Sequence, residues 1–222
     1  MKNFKTLYFS LILSFIAFGF IGCGDLKIQK KYIFNEDRPV FSNYNDKTAW
    51  EFLQSQTTPA GTAILAANKF DYMVTLIKVA GLEEEFNKSV TNRTYLLLNN
   101  ASFVGTGRIN ALLTGVVAGT GDLTKVDKVR AANLLKYHII DGYVDQVKAL
   151  PIYFINYEFK TLGDGDNSRI TFQRNERYSL TINAAPDLPA TKRPSTGVTL
   201  HNYQFKNGIA HVVSAYVGIT PF

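Results

Sequence analysis

Three histidines, one cysteine and two acidic clusters are the residues of this 222-residue chain whose types and spacing could do chemistry. The histidines are His138, His201 and His211. No pair has the separation of two zinc ligands on one helix face, and Cys23 stands far from all of them in sequence. A site could still assemble in space from His138 and His211. The simpler expectation is two structural histidines, each with partners for both ring nitrogens. Glu84 and Glu85 follow Gly81 and read as solvated carboxylates on a helix surface. Asp164-Gly165-Asp166-Asn167 suggests calcium but lacks the twelve-residue ligand pattern and its closing Glu. A hairpin turn accounts for it better, because Asp, Gly and Asn are favoured there. Gly105-Thr106-Gly107 lacks the third glycine of a dinucleotide loop, and Gly115–Asp122 lacks the Gly-Lys-Ser/Thr ending of a phosphate loop. No Gly-x-Ser-x-Gly elbow occurs. The chain is therefore read as non-enzymatic, with no catalytic residue, no metal and no cofactor.

Cys23 has a different kind of chemistry. It follows a positive segment carrying Lys2 and Lys5 and an apolar run, Leu7–Gly22. That run is shorter than the ~20 residues a membrane helix needs, so it reads as a secretory leader. Phe20-Ile21-Gly22-Cys23 resembles a bacterial lipobox, in which the cysteine becomes the acylated first residue. Cys23 is the only cysteine, so no disulfide forms within the chain. These features predict a signal peptide over 1–22 and a palmitate-type lipid anchor on Cys23. The protein is then a lipoprotein held on a membrane of the bacterial cell envelope, assigned to the outer membrane. Residues 23–47 are polar and read as a lipidated tether whose later part could dock on the domain, although Leu26, Ile28 and Ile33-Phe34 could add an edge strand.

The elements that must position these residues follow from periodicity. Thr48 and Glu51 form a capping box ahead of a short helix carrying Trp50, Phe52 and Leu53. A second helix is predicted from about Ala63 to Ala80, stopped by Gly81 with Leu82 folding back. Arg93–Leu98 reads as a buried strand and Ile109–Val117 as a helix. Another helix starts at Asp122 or Thr124, with Thr124 and Asp127 as a box-like pair, and feeds a strand at Tyr137–Ile140. Ile152–Leu162 alternates as a long strand, followed by a hairpin loop and a return through Ile170 and Phe172. Tyr178, Leu180 and Ile182 mark a further strand, and Ala184–Gly197 a crossover loop. A final hairpin turns on Asn207-Gly208, pairing Phe205 with Ala210 and placing Gln204 opposite His211. Late strands after early helices make one α+β domain over 48–222. Removing Lys2 and Lys5 lowers the net charge from +6 to +4, and no basic run exceeds two residues. Nucleic acid is not an expected partner.

Three segments, in order, resemble the fasciclin (FAS1) domain family. They are Thr94–Phe103 (TYLLLNNASF), Leu134–Gly142 (LLKYHIIDG) with its Tyr137-His138 pair, and Asn207–Val217 (NGIAHVVSAYV). Leu98, Asn99 and Ser102 stand where the family has Pro, Thr and Ala, so this is a divergent member. The resemblance implies two β-sheets in a wedge-like sandwich flanked by a helical layer, and adhesion or matrix contact in place of catalysis. In animal members the Tyr-His segment is linked to integrin-dependent adhesion. Only structural equivalence carries over to Tyr137 and His138, read here as binding or structural residues. Two functions remain. One is a membrane-tethered surface binding or adhesion module that meets a glycan or extracellular protein through loops and exposed aromatics such as those of Ile152–Phe159. The other is an accessory glycan- or peptide-binding lipoprotein of an outer-membrane nutrient-uptake system.

Overall fold

The computed structural model of the chain describes residues 39–64, 66–105, 108–115, 121–189 and 196–218, all within the unit Pro39–Phe222. The leader and Cys23 lie outside the described residues. Helix α1 (Ala49–Ser55) starts on the predicted capping box. The Thr48 hydroxyl accepts from the Glu51 N–H at 3.2 Å, and Glu51 accepts from the Thr48 N–H at 2.7 Å. Helix α2 (Asp71–Ala80) ends as expected on Gly81 at φ +67°, with the Leu82 N–H bonded back to Ile77. Its start differs from the expected Ala63. The carbonyls of Ala66, Ala67 and Lys69 take hydrogen bonds from Asn100 and Ala101, so that stretch serves a neighbouring turn and not a helix. The short α3 (Glu83–Asn87) packs on α1.

Helix α4 (Ile109–Thr114) is followed by a 3-10 turn, Leu123–Lys125, and then α5 (Lys128–Tyr137). Asp122 caps the turn and Asp127 caps the helix through the Arg130 N–H, so the predicted Thr124–Asp127 box is really two separate Asp caps. Helix α2 packs on α5, and with α1 and α3 these make the helical layer.

The strands form two sheets. In the first, β2 (Thr94–Leu98) is buried along its whole length. It pairs in parallel with β8 (Gly208–Val213) and antiparallel with the two-residue β3 (Ile139–Ile140). Strand β8 pairs antiparallel with β7 (Thr196–Phe205), and the short β1 (Ser42–Tyr44) adds to β7 in parallel. The end of the segment read as a tether is thus a sheet strand. Tyr44 packs there against Phe52, Tyr203 and Phe205. The second sheet runs β4 (Tyr157–Lys160), β5 (Arg169–Arg174), β6 (Leu180–Ile182) and then the start of β7. Strand β7 serves both sheets and is bent between Val198 and Tyr203, where its register shifts twice and Asn202 takes φ +56°. On the far side an Ile140–Thr161 bridge links β3 to the end of β4, so the two sheets are joined at both margins. This is the expected α+β arrangement of two sheets and a helical layer.

The final hairpin forms where predicted, but in another register. Phe205 pairs with Gly208 and Tyr203 with Ala210, and the two-residue loop is Lys206-Asn207. His211 consequently lies beside Asn202, not Gln204. The reason is tertiary. The Asn207 side chain is fully buried, accepts from the Ala49 N–H at 2.9 Å, and donates to the Phe86 carbonyl at 2.9 Å and the Tyr95 hydroxyl at 3.1 Å. Gly208 sits at φ +146°, and a Cβ there would lie 2.3 Å from the Arg93 carbonyl oxygen. Gly208→Ala should therefore cost about 3 kcal/mol, since backbone cannot yield cheaply. Asn207→Ala leaves the Ala49 N–H and Phe86 carbonyl buried without partners, at about 1–3 kcal/mol each. Urea unfolding of both variants against the parent chain measures these losses.

Candidate functional site

Leu134–Gly142 is a joint between helix and sheet, and every part of the Tyr137-His138 pair is committed to it. His138 is fully buried at the end of α5. Its Nδ1–H donates to the Leu134 carbonyl at 2.8 Å, and Nε2 accepts from the Val217 N–H at 3.0 Å. Those two bonds fix the neutral tautomer with the proton on Nδ1. The His138 carbonyl accepts from Leu96 in β2. Burial pushes the imidazole down to about 4 from its ordinary 6.5, against the pull of the Leu134 carbonyl. Tyr137 donates to the Arg169 carbonyl at 3.1 Å and accepts from the Asn183 amide at 2.9 Å. Burial raises its hydroxyl to about 12. Gly218, at φ +71°, lies so close that a Cβ there would fall 2.5 Å from the Tyr137 ring. Neither ring is open to a ligand.

His211 does not join His138. It lies by the bend of β7, with its ring 6.1 Å from that of His201. Nε2–H donates to the Val144 carbonyl at 2.8 Å, while Nδ1 accepts from the Asn202 N–H at 3.3 Å. Burial lowers it to about 4, helped by His201 and opposed by the Val144 carbonyl and Asp145. The Asn202 amide donates to Gln146 at 2.6 Å, and Gln146 donates to the Tyr178 carbonyl. With both nitrogens engaged, His211 is structural, as the sequence suggests. Burial also brings the less enclosed His201 down to about 4. Among the described residues, no group of three or more His, Cys, Asp or Glu side chains gathers as metal ligands. Gly165–Ser168 is a 3-10 turn joining β4 to β5. Glu85 departs from the solvated reading, because it pairs with Arg93 at 2.6 Å and with Lys88.

What the fold displays is apolar. The predicted long strand Ile152–Leu162 is a strand only over Tyr157–Lys160, and its first part is a loop. Ile152, Tyr153, Phe154 and Ile155 are 60%, 52%, 56% and 48% exposed. Leaving each half in water forgoes on the order of 1 kcal/mol of burial. The loop is nonetheless held. Arg174, itself buried, donates to the Leu150 and Pro151 carbonyls and lies over the rings of Tyr178 (4.7 Å) and Tyr153 (5.9 Å). The Phe154 N–H donates to the Arg174 carbonyl at 2.8 Å, and Phe154 takes φ +60°, an uncommon setting for a bulky residue. Pro151 and the absence of polar residues between the alternating positions before Asn156 are the sequence signals that mark this loop.

These geometries make stability depend on acid. Each buried histidine titrates lower in the fold than in the unfolded chain, so its contribution is complete above about 6.5 and is lost as pH falls toward 4. The unfolded chain binds more protons in that window, giving a slope of about 1.4 kcal/mol per pH unit for each of His138 and His211. Asp71 acts lower. Burial raises its carboxyl, but hydrogen bonds from Asn100 and Thr58 outweigh that and hold it below its ordinary 3.8. Denaturant titrations between pH 7 and 5 should show the histidine slope, and because His201 is lowered as well, His211→Asn should flatten it by about a third.

The comparisons agree with this geometry. The family model described as Fasciclin domain matches residues 68–217. No curated protein matches the chain significantly. Among solved structures, the FAS1 domain pair of the insect cell adhesion molecule Fasciclin I superposes with a TM-score of 0.52 at 14% identity, over 78% of this chain and 51% of that one. The chain thus spans about half the length of that relative, and the likeness concerns the fold. The family match covers more than half of the sequence and contains both the Tyr137-His138 joint and the Asn207-Gly208 hairpin, and on that ground the chain belongs to the Fasciclin domain family.

Proposed function

We propose that this protein is a lipid-tethered, non-catalytic binding or adhesion module of the bacterial cell envelope, anchored through Cys23 in the outer membrane. One observation carries the reading. Of the polar side chains that could do chemistry, Tyr137, His138 and His211 are buried and spent on the fold and His201 is half-buried, whereas Ile152–Ile155 is displayed on a braced loop. Contact through a surface suits that distribution better than turnover in a cleft. Fasciclin domains are adhesion-type modules, and the solved relative is a cell adhesion molecule. Acylation of Cys23 would supply the tether, since about 0.8 kcal/mol per buried CH₂ makes two acyl chains a stable anchor.

A second reading, an accessory glycan- or peptide-binding lipoprotein of a nutrient-uptake system, draws on the exposed Tyr153 and Phe154. Their rings meet edge to face, 5.5 Å apart at 85°, which offers a sugar two small faces instead of one flat platform. Adhesion remains the favoured reading. Growth with an alkyne fatty acid should label the wild-type chain and leave Cys23→Ala unlabelled. A wild-type chain that stays unlabelled overturns the anchor. Binding of the purified protein to an extracellular matrix-protein array, with a glycan array blank, is the outcome expected for adhesion over nutrient capture.

A further inference from the structure

We infer that the loop Ile152–Ile155 docks on a lipid bilayer and gives the domain a second attachment beside the anchor at Cys23. The inference rests on the reading of Cys23 as acylated, and it names the partner of the displayed loop.

Four consecutive apolar residues about half exposed are unusual on a surface whose other large exposed side chains, such as Val90, Val129 and Leu200, stand singly in the sequence. Their order is aliphatic, aromatic, aromatic, aliphatic. A Tyr ring with its polar tip favours the level of lipid headgroups, and Phe and aliphatic side chains favour the layer beneath. The loop is also presented stiffly. The Arg174 guanidinium ties down Leu150 and Pro151, the Phe154 N–H is bonded to the Arg174 carbonyl, and the Ile152 N–H donates to the Tyr157 hydroxyl at 2.9 Å. A positive φ at Phe154 survives only where the surroundings impose it, and strain of that kind gathers at functional sites. The backbone is thus already ordered, and docking costs mainly side-chain entropy.

Two arguments choose the bilayer over a protein or a sugar. The first is supply. Gly24–Arg38 can extend to at most about 50 Å, so an acylated Cys23 keeps a bilayer at high effective concentration around the domain. The second is the shape of the display. The edge-to-face rings of Tyr153 and Phe154 form a knob, which suits a deformable phase better than a flat partner. Charge at the base is close to balanced. Lys148 and Arg177 are exposed on the segments flanking the loop and the β5–β6 turn, with Glu176 in that same turn and Glu158 engaged by Arg169. The attraction is therefore apolar first, with anionic lipid helping modestly.

The test uses the full chain carrying Phe154→Trp, reconstituted in phosphatidylcholine vesicles brominated along the acyl chains. The wild-type chain, whose Trp50 is buried, serves as background. The added indole should be quenched by the brominated lipid, emit at shorter wavelength, and be shielded from acrylamide. Adding Ile152→Asp and Ile155→Asp should abolish all three effects without altering the thermal melt. An indole that acrylamide quenches freely while brominated lipid does not overturns the proposal, including the case in which it becomes shielded only on addition of another protein. The two readings fail separately. Loss of fatty-acid labelling with quenching retained removes the anchor and leaves the docking loop. Labelling without quenching does the reverse.

Discussion

A neutral imidazole sealed inside the protein must have a donor and an acceptor supplied to it, and meeting that demand at His138 ties together three distant parts of the chain. The ring takes the Leu134 carbonyl in the last turn of α5 and the N–H of Val217, while the His138 backbone carbonyl holds Leu96 in the buried strand β2. Helix end, central strand and C-terminal segment therefore meet at one side chain. Tyr137 extends the joint to the second sheet through Arg169 and Asn183. An unsatisfied buried polar atom costs more than a typical hydrogen bond contributes. Correct docking of these segments is thus favoured over displaced alternatives.

The same economy recurs at the other polar centres. Asn207 gives its amide to α1, α3 and β2 together, and His211 with Asn202 and Gln146 stitches the bend of β7 to the loops that cover it. Side chains that in another setting would be bases, ligands or nucleophile partners are here the fasteners between layers. A fold that spends them this way keeps its chemistry inside. The loop at Ile152–Ile155 is the contrast, exposed and braced by Arg174.

That brace is a design choice with consequences. A guanidinium buried among carbonyls and two tyrosine rings is more weakly hydrated than an ammonium would be and uses several donors at once. It permits the chain to hold apolar side chains in water without collapsing them onto the domain. The two sheets, joined at β7 and again at the Ile140–Thr161 bridge, provide the rigid base on which the loop stands.

Much of this was legible in the residues themselves. The Thr48–Glu51 box, the Gly81 stop, the buried strand before Asn99 and the presence of a hairpin near Asn207 are all local, decided by partners within a few positions. So was the likeness of three ordered segments to a fasciclin domain. Other features had no local signature. Alternation through Tyr153, Ile155 and Tyr157 suggested a strand, yet Arg174 holds the first half as a loop. Asn207-Gly208 predicted a two-residue turn, but contacts 158 residues away, to Ala49, shift the hairpin register by two. Ser42–Tyr44 lies in a polar stretch with no strand signature, and its place as a strand comes from the edge that β7 offers. The sequence by itself determined caps, stops and the order of elements, because those depend on short-range hydrogen bonds. Only the tertiary structure decided register, strand length and which histidines are sealed, because a bond such as that from Val217 to His138 spans 79 residues and exists only once the layers have packed.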